Sequence, residues 1–166
     1  MGSEMCIRDR SYTFSRSQRL VEGVNNDDWY SSNFDKPHEG SLILNYQPNQ
    51  RNTFSANLTY AQGRPTTPPV VGFTTPNNSF VPVFAERNQF RIPDFQRLDI
   101  AYTIGRGYKK DSKFELSWTF AIYNLLGRQN AYSVFFERGG FNLPEAFQLS
   151  ILGNAIPSIT LNFELL

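Results

Sequence analysis

Two stretches of the chain alternate residue by residue between apolar and polar side chains, which is the period of a β-strand. They cover residues 97–104 and 114–123 and are joined by a polar segment that contains glycine, residues 105–113. Because successive side chains of a strand point to opposite faces of a sheet, each stretch has one apolar, aromatic face and one polar or small-residue face. The apolar faces consist of Leu98, Ile100, Tyr102 and Ile104 in the first stretch and of Phe114, Leu116, Trp118, Phe120 and Ile122 in the second.

The same alternation predicts further strands, so that we expect an all-β chain of about eight antiparallel strands without a helix. These further strands cover residues 11–20, 41–47, 53–62, 131–136 and 147–151 and the residues that follow Pro157. Residues 63–93 carry most of the prolines, which cannot donate to a strand ladder, and are expected to form a long loop without a central strand. Residues 21–40, rich in Asn, Asp, Ser and Gly, form a second long loop.

The alternating faces fit two architectures that meet different solvents. A soluble antiparallel sheet buries its apolar face in a core, whereas a transmembrane β-barrel turns that face to lipid and its polar face to a lumen. A strand needs about 9–11 residues to cross a bilayer, and strands of globular proteins are nearer 5–6. Residues 114–123 are long enough to span, which favours the membrane. Trp118 discriminates between the two, since its indole N–H needs a partner in a soluble core but not in lipid away from the headgroups.

Long loops and short turns alternate along much of the chain, as they do in outer-membrane barrels with long external loops and short periplasmic turns. If the last strand runs toward the periplasm, the long loops 21–40 and 63–93 lie outside, and the turns 48–52 and 105–113 lie inside. The same count makes residues 153–157 an external loop although they are few. That segment is the exception to the pattern.

Composition narrows the classes of protein. Hydrophobic residues make up 40% of the 166 residues, but no stretch approaches the roughly 18 consecutive apolar residues of a membrane helix. Aromatic residues make up 15%, which suits β-strands in general and the aromatic girdles of barrels. The formal net charge is +1 and the basic residues are dispersed, so no nucleic-acid partner is expected.

The sequence predicts no catalytic, cofactor-binding or metal-binding site, and we do not expect an enzyme. Cys6 is the single cysteine, so no intramolecular disulfide can form. His38 has no cluster of Cys or carboxylates around it and is expected to be an ordinary loop residue. Gly105-Arg106-Gly107 lacks the strand-to-helix context of a phosphate loop and is interpreted as a turn.

Charged residues on or near the strands are expected to be structural or to face the lumen, because no spacing picks out an acid/base pair. The carboxylates considered are Asp94, Asp99 and Glu115. Arg97 and Asp99 lie two apart on one strand face, where they can pair with neighbouring strands or a plug, or touch a substrate. Arg87 and Arg91 are expected to pack the loop 63–93 over the barrel mouth, with ligand contact as the alternative.

Residues 1–10 do not match the rest of the chain. They contain no charged-then-apolar signal sequence, and residues 5–10 resemble the translation of a sequencing-adapter tag. We therefore interpret residues 1–10 as a non-native sequencing artefact and residues 11–166 as natural, with the true N-terminus missing. Long-read resequencing of the source tests this interpretation: a continuous upstream coding frame that contains these residues would contradict it.

Several segments carry a family resemblance that extends over nearly all of residues 11–166. They are Trp29-Tyr30 with Asp35-Lys36-Pro37-His38, Tyr60-Ala61-Gln62-Gly63-Arg64-Pro65, Arg91-Ile92-Pro93-Asp94-Phe95-Gln96-Arg97-Leu98-Asp99, Ile122-Tyr123-Asn124-Leu125-Leu126-Gly127-Arg128-Gln129-Asn130-Ala131-Tyr132 and Ile156-Pro157-Ser158-Ile159-Thr160-Leu161-Asn162-Phe163. In this order they resemble the C-terminal part of the β-barrel of TonB-dependent outer-membrane receptors, particularly those with a carboxypeptidase-regulatory-like domain. Related chains typically finish on an aromatic residue, which the barrel-insertion machinery recognises, whereas this chain ends Phe163-Glu164-Leu165-Leu166.

The resemblance implies part of a large plugged barrel in the cell outer membrane, in the class of about 22 strands. Such a receptor takes up a nutrient with energy passed from the inner membrane by TonB, and it needs no cofactor. The implied partners are outer-membrane lipid, the plug domain and remaining barrel strands, the TonB system and a surface lipoprotein. Two alternatives remain: a soluble or surface-exposed β-sandwich used for binding or adhesion, and a small complete barrel.

Overall fold

The computed structural model describes residues 5–105, 114–140 and 144–165, and within these ranges the protein is all-β with antiparallel sheets. Its strands are β1 (Met5–Phe14), β2 (Gln18–Arg19), β3 (Tyr30–Ser31), β4 (His38–Asn49), β5 (Asn52–Ala61), β6 (Pro65–Thr66), β7 (Pro69–Thr74), β8 (Phe80–Phe84), β9 (Phe90–Arg91), β10 (Phe95–Gly105), β11 (Phe114–Tyr123), β12 (Ala131–Arg138), β13 (Pro144–Ser150) and β14 (Ile156–Leu165). A short 3-10 helix, Asn25–Asp27, follows β2. None of the helical structure in these ranges is long and apolar enough to cross a membrane.

The main sheet has the strand order β1-β4-β5-β10-β11-β14, and each neighbouring pair is antiparallel. Because the chain reverses at every step, successive connections lie at alternate ends of the sheet. Residues 15–37, 62–94 and 124–155 form the long connections, and they share one end, which we call the long-connection end. Residues 50–51 link β4 to β5 at the opposite end, the turn end, where β10 also ends and β11 begins. The predicted turn at residues 105–113, with Gly105-Arg106-Gly107, lies outside the described residues except for Gly105.

The structure corrects the predicted number of strands in the sheet. The predicted strands 131–136 and 147–151 correspond to β12 and β13, which pair with each other and not with the main sheet. β11 instead pairs with β14 along its full length of 10 residues. β12 and β13 therefore form a separate hairpin within the connection between β11 and β14 and do not extend the main sheet. Residues 153–155 are part of this long connection and residues 156–157 begin β14, so the exception to the long–short alternation disappears.

Each long connection contains one or two small antiparallel sheets of its own. β2 pairs with β3, β6 with β9, β7 with β8 and β12 with β13. Residues 63–93 thus contribute no strand to the main sheet, which confirms the prediction from their prolines, but they do form short strands of their own. The prediction of a loop over residues 21–40 is wrong in two respects. The segment contains the short strand β3, and β4 begins at His38, so that His38 is a strand residue and not a loop residue.

The first strand lies earlier in the chain than the predicted strand 11–20. β1 includes residues 5–10, which we interpreted as an artefact and left out of the fold. Its register with β4 places Arg8 and Arg10 opposite two leucines, on the face that is apolar in the neighbouring strands. Within the described main sheet, arginine, lysine and carboxylate side chains interrupt that face only in this segment. Its non-native origin stays a prediction.

The cross-strand register joins the predicted strand faces into two continuous surfaces. The apolar face contains the rows Leu42–Leu58–Leu98, Leu44–Ala56–Ile100–Ile122 and Tyr46–Phe54–Tyr102–Phe120–Ile159. Phe54 and Tyr102 stack with ring centroids 4.4 Å apart. On the polar face, the hydroxyls of Thr103 and Thr119 lie 2.9 Å apart. Alternation therefore sorts side chains by polarity across the whole sheet.

Among residues 5–105, 114–140 and 144–165, no second layer covers the apolar face. Phe54, Phe120 and Ile159 expose 47%, 44% and 67% of their surface. The accessible surface of the protein is 12202 Å², whereas a compact protein of 19.1 kDa is expected to expose about 8,400 Å². The main sheet is therefore a single layer whose apolar side chains meet the surroundings.

Candidate functional site

Burial concentrates at the long-connection end, which makes this end the candidate functional site. The buried side chains of the described residues are Tyr30, Ser32, Asp35, Ala61, Pro65 and Asn124. All of them lie in the long connections or at the strand end that leads into one. The three long connections thus build the densest part of the molecule beside an otherwise open sheet.

An ion pair ties the first long connection to the second. Arg91 in β9 donates from its guanidinium to the carboxylate of Asp35, and also to the carbonyl oxygens of Asp35 and Gly63 at 2.9 and 3.0 Å. The backbone N–H of Ser17 donates to Asp35 Oδ1 at 2.7 Å. Only 1% of the Asp35 side chain is exposed, so its charge is neutralised and hydrogen-bonded where water does not reach.

The environment of Asp35 keeps its carboxylate ionised. Burial by itself acts to raise the pKa of Asp35, but the hydrogen bonds from Ser17, Arg91 and Ser31 and the charge of Arg91 outweigh it. The net effect lowers the pKa of Asp35 below its ordinary value. Arg91 holds the second connection against the first through this contact. Its expected place over a barrel mouth stays a prediction.

Asparagine side chains add further bonds between the same two connections. The side-chain amide of Asn88 donates to Ser31 O at 2.7 Å and to Asn33 Oδ1 at 2.6 Å. Asn25 brackets the backbone of Arg87, accepting from its N–H at 2.7 Å and donating to its carbonyl at 2.9 Å. Residues 15–37 and 62–94 therefore form one bonded unit.

The start of the second connection depends on a glycine and a carboxylate. The backbone N–H of Gly63 and the hydroxyl of Tyr60 donate to the two oxygens of Asp94, each at 2.9 Å. The bond from Gly63 contributes most to lowering the pKa of Asp94, and it outweighs the opposing effect of burial. A Cβ at position 63 would overlap the carbonyl oxygen of Ile92, so the close approach of the two backbones requires glycine here.

A second polar cluster lies where β11 leaves the sheet. Arg97 Nε lies 3.0 Å from Asp99 Oδ2 as an ion pair without hydrogen-bond alignment, and Arg97 Nη1 donates to the Tyr123 hydroxyl at 2.9 Å. The guanidinium also sits over the Tyr123 ring, 4.8 Å from its centroid. Asp99 Oδ1 accepts from the backbone N–H of Asn124 at 2.9 Å. Arg97 and Asp99 thus pair with each other and with β11.

Asn124 anchors the third long connection. Its backbone has φ 52°, a left-handed conformation that asparagine tolerates better than most residues. Its buried side-chain amide donates to Arg128 O at 3.0 Å and to Leu152 O at 3.2 Å, which joins the two ends of this connection. The segment Ile122 to Tyr132, which carries part of the family resemblance, is therefore built around a structural asparagine.

A polar cleft opens between the three connections. It has a volume of about 300 Å³. Its lining includes Asn33, Arg64, Thr66, Arg87 and Val134. The guanidinium groups of Arg64 and Arg87 have no ion pair or hydrogen bond among the described residues. The cleft thus carries two exposed arginines that form no ion pair with a carboxylate of the described residues.

The remaining residues singled out in the sequence have separate surroundings. His38 Nδ1 lies 2.7 Å from the Tyr12 hydroxyl, at the start of β4. Glu115 lies opposite Glu164 of β14. Trp118 is 44% exposed on the apolar face, and its indole N–H has no partner in the described part of the chain. The structure does not bring these side chains together, and among the described residues no three His, Cys, Asp or Glu side chains are grouped so that they could hold a metal ion.

Sequence interpretation missed Asp35, Asn88 and Asn124 as individual residues. Asp35 belonged to a resembling segment, but nothing local indicates a partner so far along the chain. Asn88 and Asn124 both have positive φ, and an asparagine at the end of a strand or beside a short strand is the available signal.

No protein-family model, curated protein or solved structure matches the chain.

Proposed function

We propose that this chain is the C-terminal part of the barrel of a TonB-dependent outer-membrane receptor, which takes up a nutrient across that membrane. The observation that carries the proposal is the single-layer main sheet. Its strands are 10 to 12 residues long, and a tilted strand needs about 9–11 residues to cross a bilayer. Lipid satisfies the uncovered apolar face, and the polar face lines the lumen.

The unequal connections support the same proposal and give its orientation. Outer-membrane barrels have long loops outside the cell and short turns on the periplasmic side. Every long connection of the main sheet leaves from one end, whereas the two residues 50–51 join β4 to β5 at the other end, where β10 also ends. In the proposed receptor, the long-connection end faces the exterior and the turn end faces the periplasm.

Aromatic side chains near both strand ends fit the interfaces of a bilayer. Tyr46 and Tyr102 lie toward the turn end of the apolar face, and Tyr12 and Tyr60 lie toward the long-connection end. Aromatic rings with a polar group favour the headgroup level, where one end is apolar and the other wet. Their placement supports an apolar band bounded on both sides.

The open edges of the main sheet account for the proposed partners. β1 and β14 are the outermost strands of the sheet, and an unpaired strand edge is costly in both lipid and water. In the proposed receptor further barrel strands pair with these edges, a plug fills the lumen, and TonB acts through the plug. A surface lipoprotein is proposed as a partner at the exterior.

Two arginines, Arg8 and Arg10, lie on the face that the proposal turns to lipid. Charged side chains are unsuited to a lipid face, which supports the interpretation of residues 1–10 as non-native.

The soluble sandwich is the rival proposal, and it makes a different demand on the structure. A sandwich requires a second sheet packed about 10 Å from the apolar face. Residues such as Phe120 and Ile159 are exposed instead. The small complete barrel requires β1 and β14 to pair with each other, and they do not. Neither alternative gains a specific observation.

Fluorescence quenching by brominated lipid tests the membrane proposal. The chain carries two tryptophans, Trp29 and Trp118. In the Trp29→Phe variant, refolded with vesicles whose acyl chains are brominated, we expect strong quenching of Trp118. The matched control is Trp118→Phe, in which Trp29 reports from the first long connection, where it is 65% exposed, and is expected to stay unquenched.

Two outcomes would contradict the proposal. One is a folded protein in plain buffer whose Trp118 emission does not change when brominated vesicles are added. The other is equal quenching of both tryptophans, which would indicate nonspecific adsorption. Without lipid or detergent we expect aggregation, since the apolar face and both sheet edges are open; a monodisperse soluble monomer would favour the sandwich.

A further inference from the structure

The cleft between the long connections has the chemistry of a ligand site. Its volume of about 300 Å³ is at the lower end of the roughly 300–1,000 Å³ that small-molecule sites occupy. A group of monosaccharide size fits such a space. Most of the lining is polar, so the cleft offers little to an apolar ligand.

The backbones on which the two arginines sit are fixed while their guanidinium groups are free. Arg87 is held by both main-chain bonds to Asn25, at 2.7 and 2.9 Å. The carbonyl of Arg64 accepts from the N–H of Ile92 at 3.1 Å, next to the pairing of β6 with β9. A fixed backbone reduces the entropy that binding must overcome, and a guanidinium matches a carboxylate with two parallel hydrogen bonds.

No carboxylate in the described part of the chain pairs with these two arginines. Glu86 is the carboxylate next to Arg87 in sequence, and its oxygens accept from Asn26 and Gln89, each at 3.4 Å. Asp35 is paired with Arg91, and Asp94 accepts from Gly63 and Tyr60. Two exposed guanidinium groups that line one cleft without a carboxylate partner among the described residues favour an anionic ligand.

The rest of the lining supplies groups for hydroxyls. The Thr66 hydroxyl has no hydrogen bond among the described residues, and Asn33 uses only its Oδ1, which accepts from Asn88. Pro65, Ile92 and Val134 complete the lining with apolar surface, against which the C–H groups of a sugar ring can pack. A ligand that presents a carboxylate, several hydroxyls and a C–H surface, as a carboxylated sugar does, matches all three kinds of lining group.

We propose that the cleft binds a small carboxylated sugar, its carboxylate held by Arg64 and Arg87 and its hydroxyls by Thr66 and Asn33. Binding itself requires only the long connections. The further role of the cleft, capture of the imported nutrient at the cell exterior, rests on the proposed receptor function.

Calorimetric titration of the 166-residue chain in detergent micelles tests the proposal. The probes are D-galacturonate and D-glucuronate, each compared with its neutral counterpart, D-galactose or D-glucose, and with inorganic sulfate. We expect the acids to bind roughly tenfold or more tightly than the neutral sugars, the ratio that one charge-assisted contact provides. Binding of the acids is also expected to weaken as salt is added.

Substitutions assign the effect to the cleft. Arg64→Gln and Arg87→Gln are each expected to weaken acid binding by about tenfold while leaving the neutral sugars unchanged. Arg51→Gln is the matched control, because Arg51 is an exposed arginine at the turn end. The circular dichroism spectrum and the protease cleavage pattern establish that each variant keeps its fold.

Three results would overturn the proposal. Acidic and neutral sugars could bind equally or not at all, sulfate could bind as tightly as the uronates, or Arg51→Gln could weaken binding as much as the cleft variants. Failure of the receptor proposal is separate. If Trp118 is not quenched and the protein is soluble, the same titration in plain buffer still decides whether the cleft binds.

Discussion

The backbone N–H of Asn124 donates a 2.9 Å hydrogen bond to Oδ1 of Asp99, so that the chain remains attached to β10 after β11 has ended. The next residue continues the attachment, since the N–H of Leu125 donates to Leu98 O at 2.7 Å. A side-chain oxygen thus takes the place of a ladder carbonyl at the end of the sheet. The third long connection leaves the sheet at a fixed point as a result.

Replacing Asn124 should destabilise the protein through both its backbone and its side chain. Asn124→Ala loses two hydrogen bonds and places alanine at positive φ, and we expect the free energy of unfolding to fall by about 2–4 kcal/mol. Asn124→Gly loses the same bonds without the strain, so its loss should be smaller by roughly 1 kcal/mol. Guanidinium unfolding in detergent micelles, followed by tryptophan fluorescence, measures both.

Asn78 provides the matched control for that comparison. It also has a positive φ, 62°, but its exposed side chain makes no hydrogen bond among the described residues. Asn78→Ala should therefore cost only the strain, roughly 1–2 kcal/mol. Equal losses for Asn78→Ala and Asn124→Ala would show that the buried amide of Asn124 contributes nothing.

Gly63→Ala should open the base of the second long connection. The new methyl group overlaps the carbonyl oxygen of Ile92, so the two backbones must separate at a cost of about 1–3 kcal/mol. Hydrogen–deuterium exchange should become faster at the Ile92 amide, which donates to Arg64 O. Gly140→Ala is the control, because its added Cβ meets no atom within 4 Å. In this variant, exchange at the Ile92 amide should match the wild type. Unchanged exchange in Gly63→Ala would refute the proposed backbone contact.

Asp35→Asn should loosen the first and second connections without unfolding the main sheet. The substitution nearly conserves shape but removes the charge that pairs with Arg91, at a cost of about 1–3 kcal/mol. Tryptic cleavage within residues 15–37 should accelerate by roughly tenfold or more, because cleavage follows local opening. Asp28→Asn, an exposed position in the same connection, is the control and should leave the rate unchanged. A similar rate in both variants would argue against a stabilising ion pair.

Acid should release the same contacts over a defined range of pH. The pKa values of Asp35 and Asp94 are lowered in the folded protein, so their stabilising contribution is complete above the unfolded value of about 3.9 and is lost as pH falls through the lower folded-state pKa. In the Trp118→Phe variant, Trp29 fluorescence should stay constant from pH 7 to about pH 4 and change below it. A transition centred above pH 5 would contradict this assignment.

The sequence determined the local properties of the protein. Strict alternation over residues 97–104 and 114–123 predicted both strands and their faces, because side-chain direction in a strand depends only on position along it. Prolines excluded residues 63–93 from the main sheet for an equally local reason, the missing N–H. Gly63 belongs to a segment that carries the family resemblance, but the sequence did not predict its close contact with the backbone of Ile92, which requires glycine.

Only the tertiary structure decided which strands pair and which connections meet. β12, β13 and β14 carry similar alternating patterns, so the pattern could not show that β11 takes β14 as its neighbour and leaves β12 and β13 as a hairpin. The choice depends on how many ladder bonds each pairing forms along the full strand, which is a property of two segments together. Asp35 meets Arg91 for the same reason: their separation along the chain carries no signal, and the antiparallel sheet brings their connections to one end.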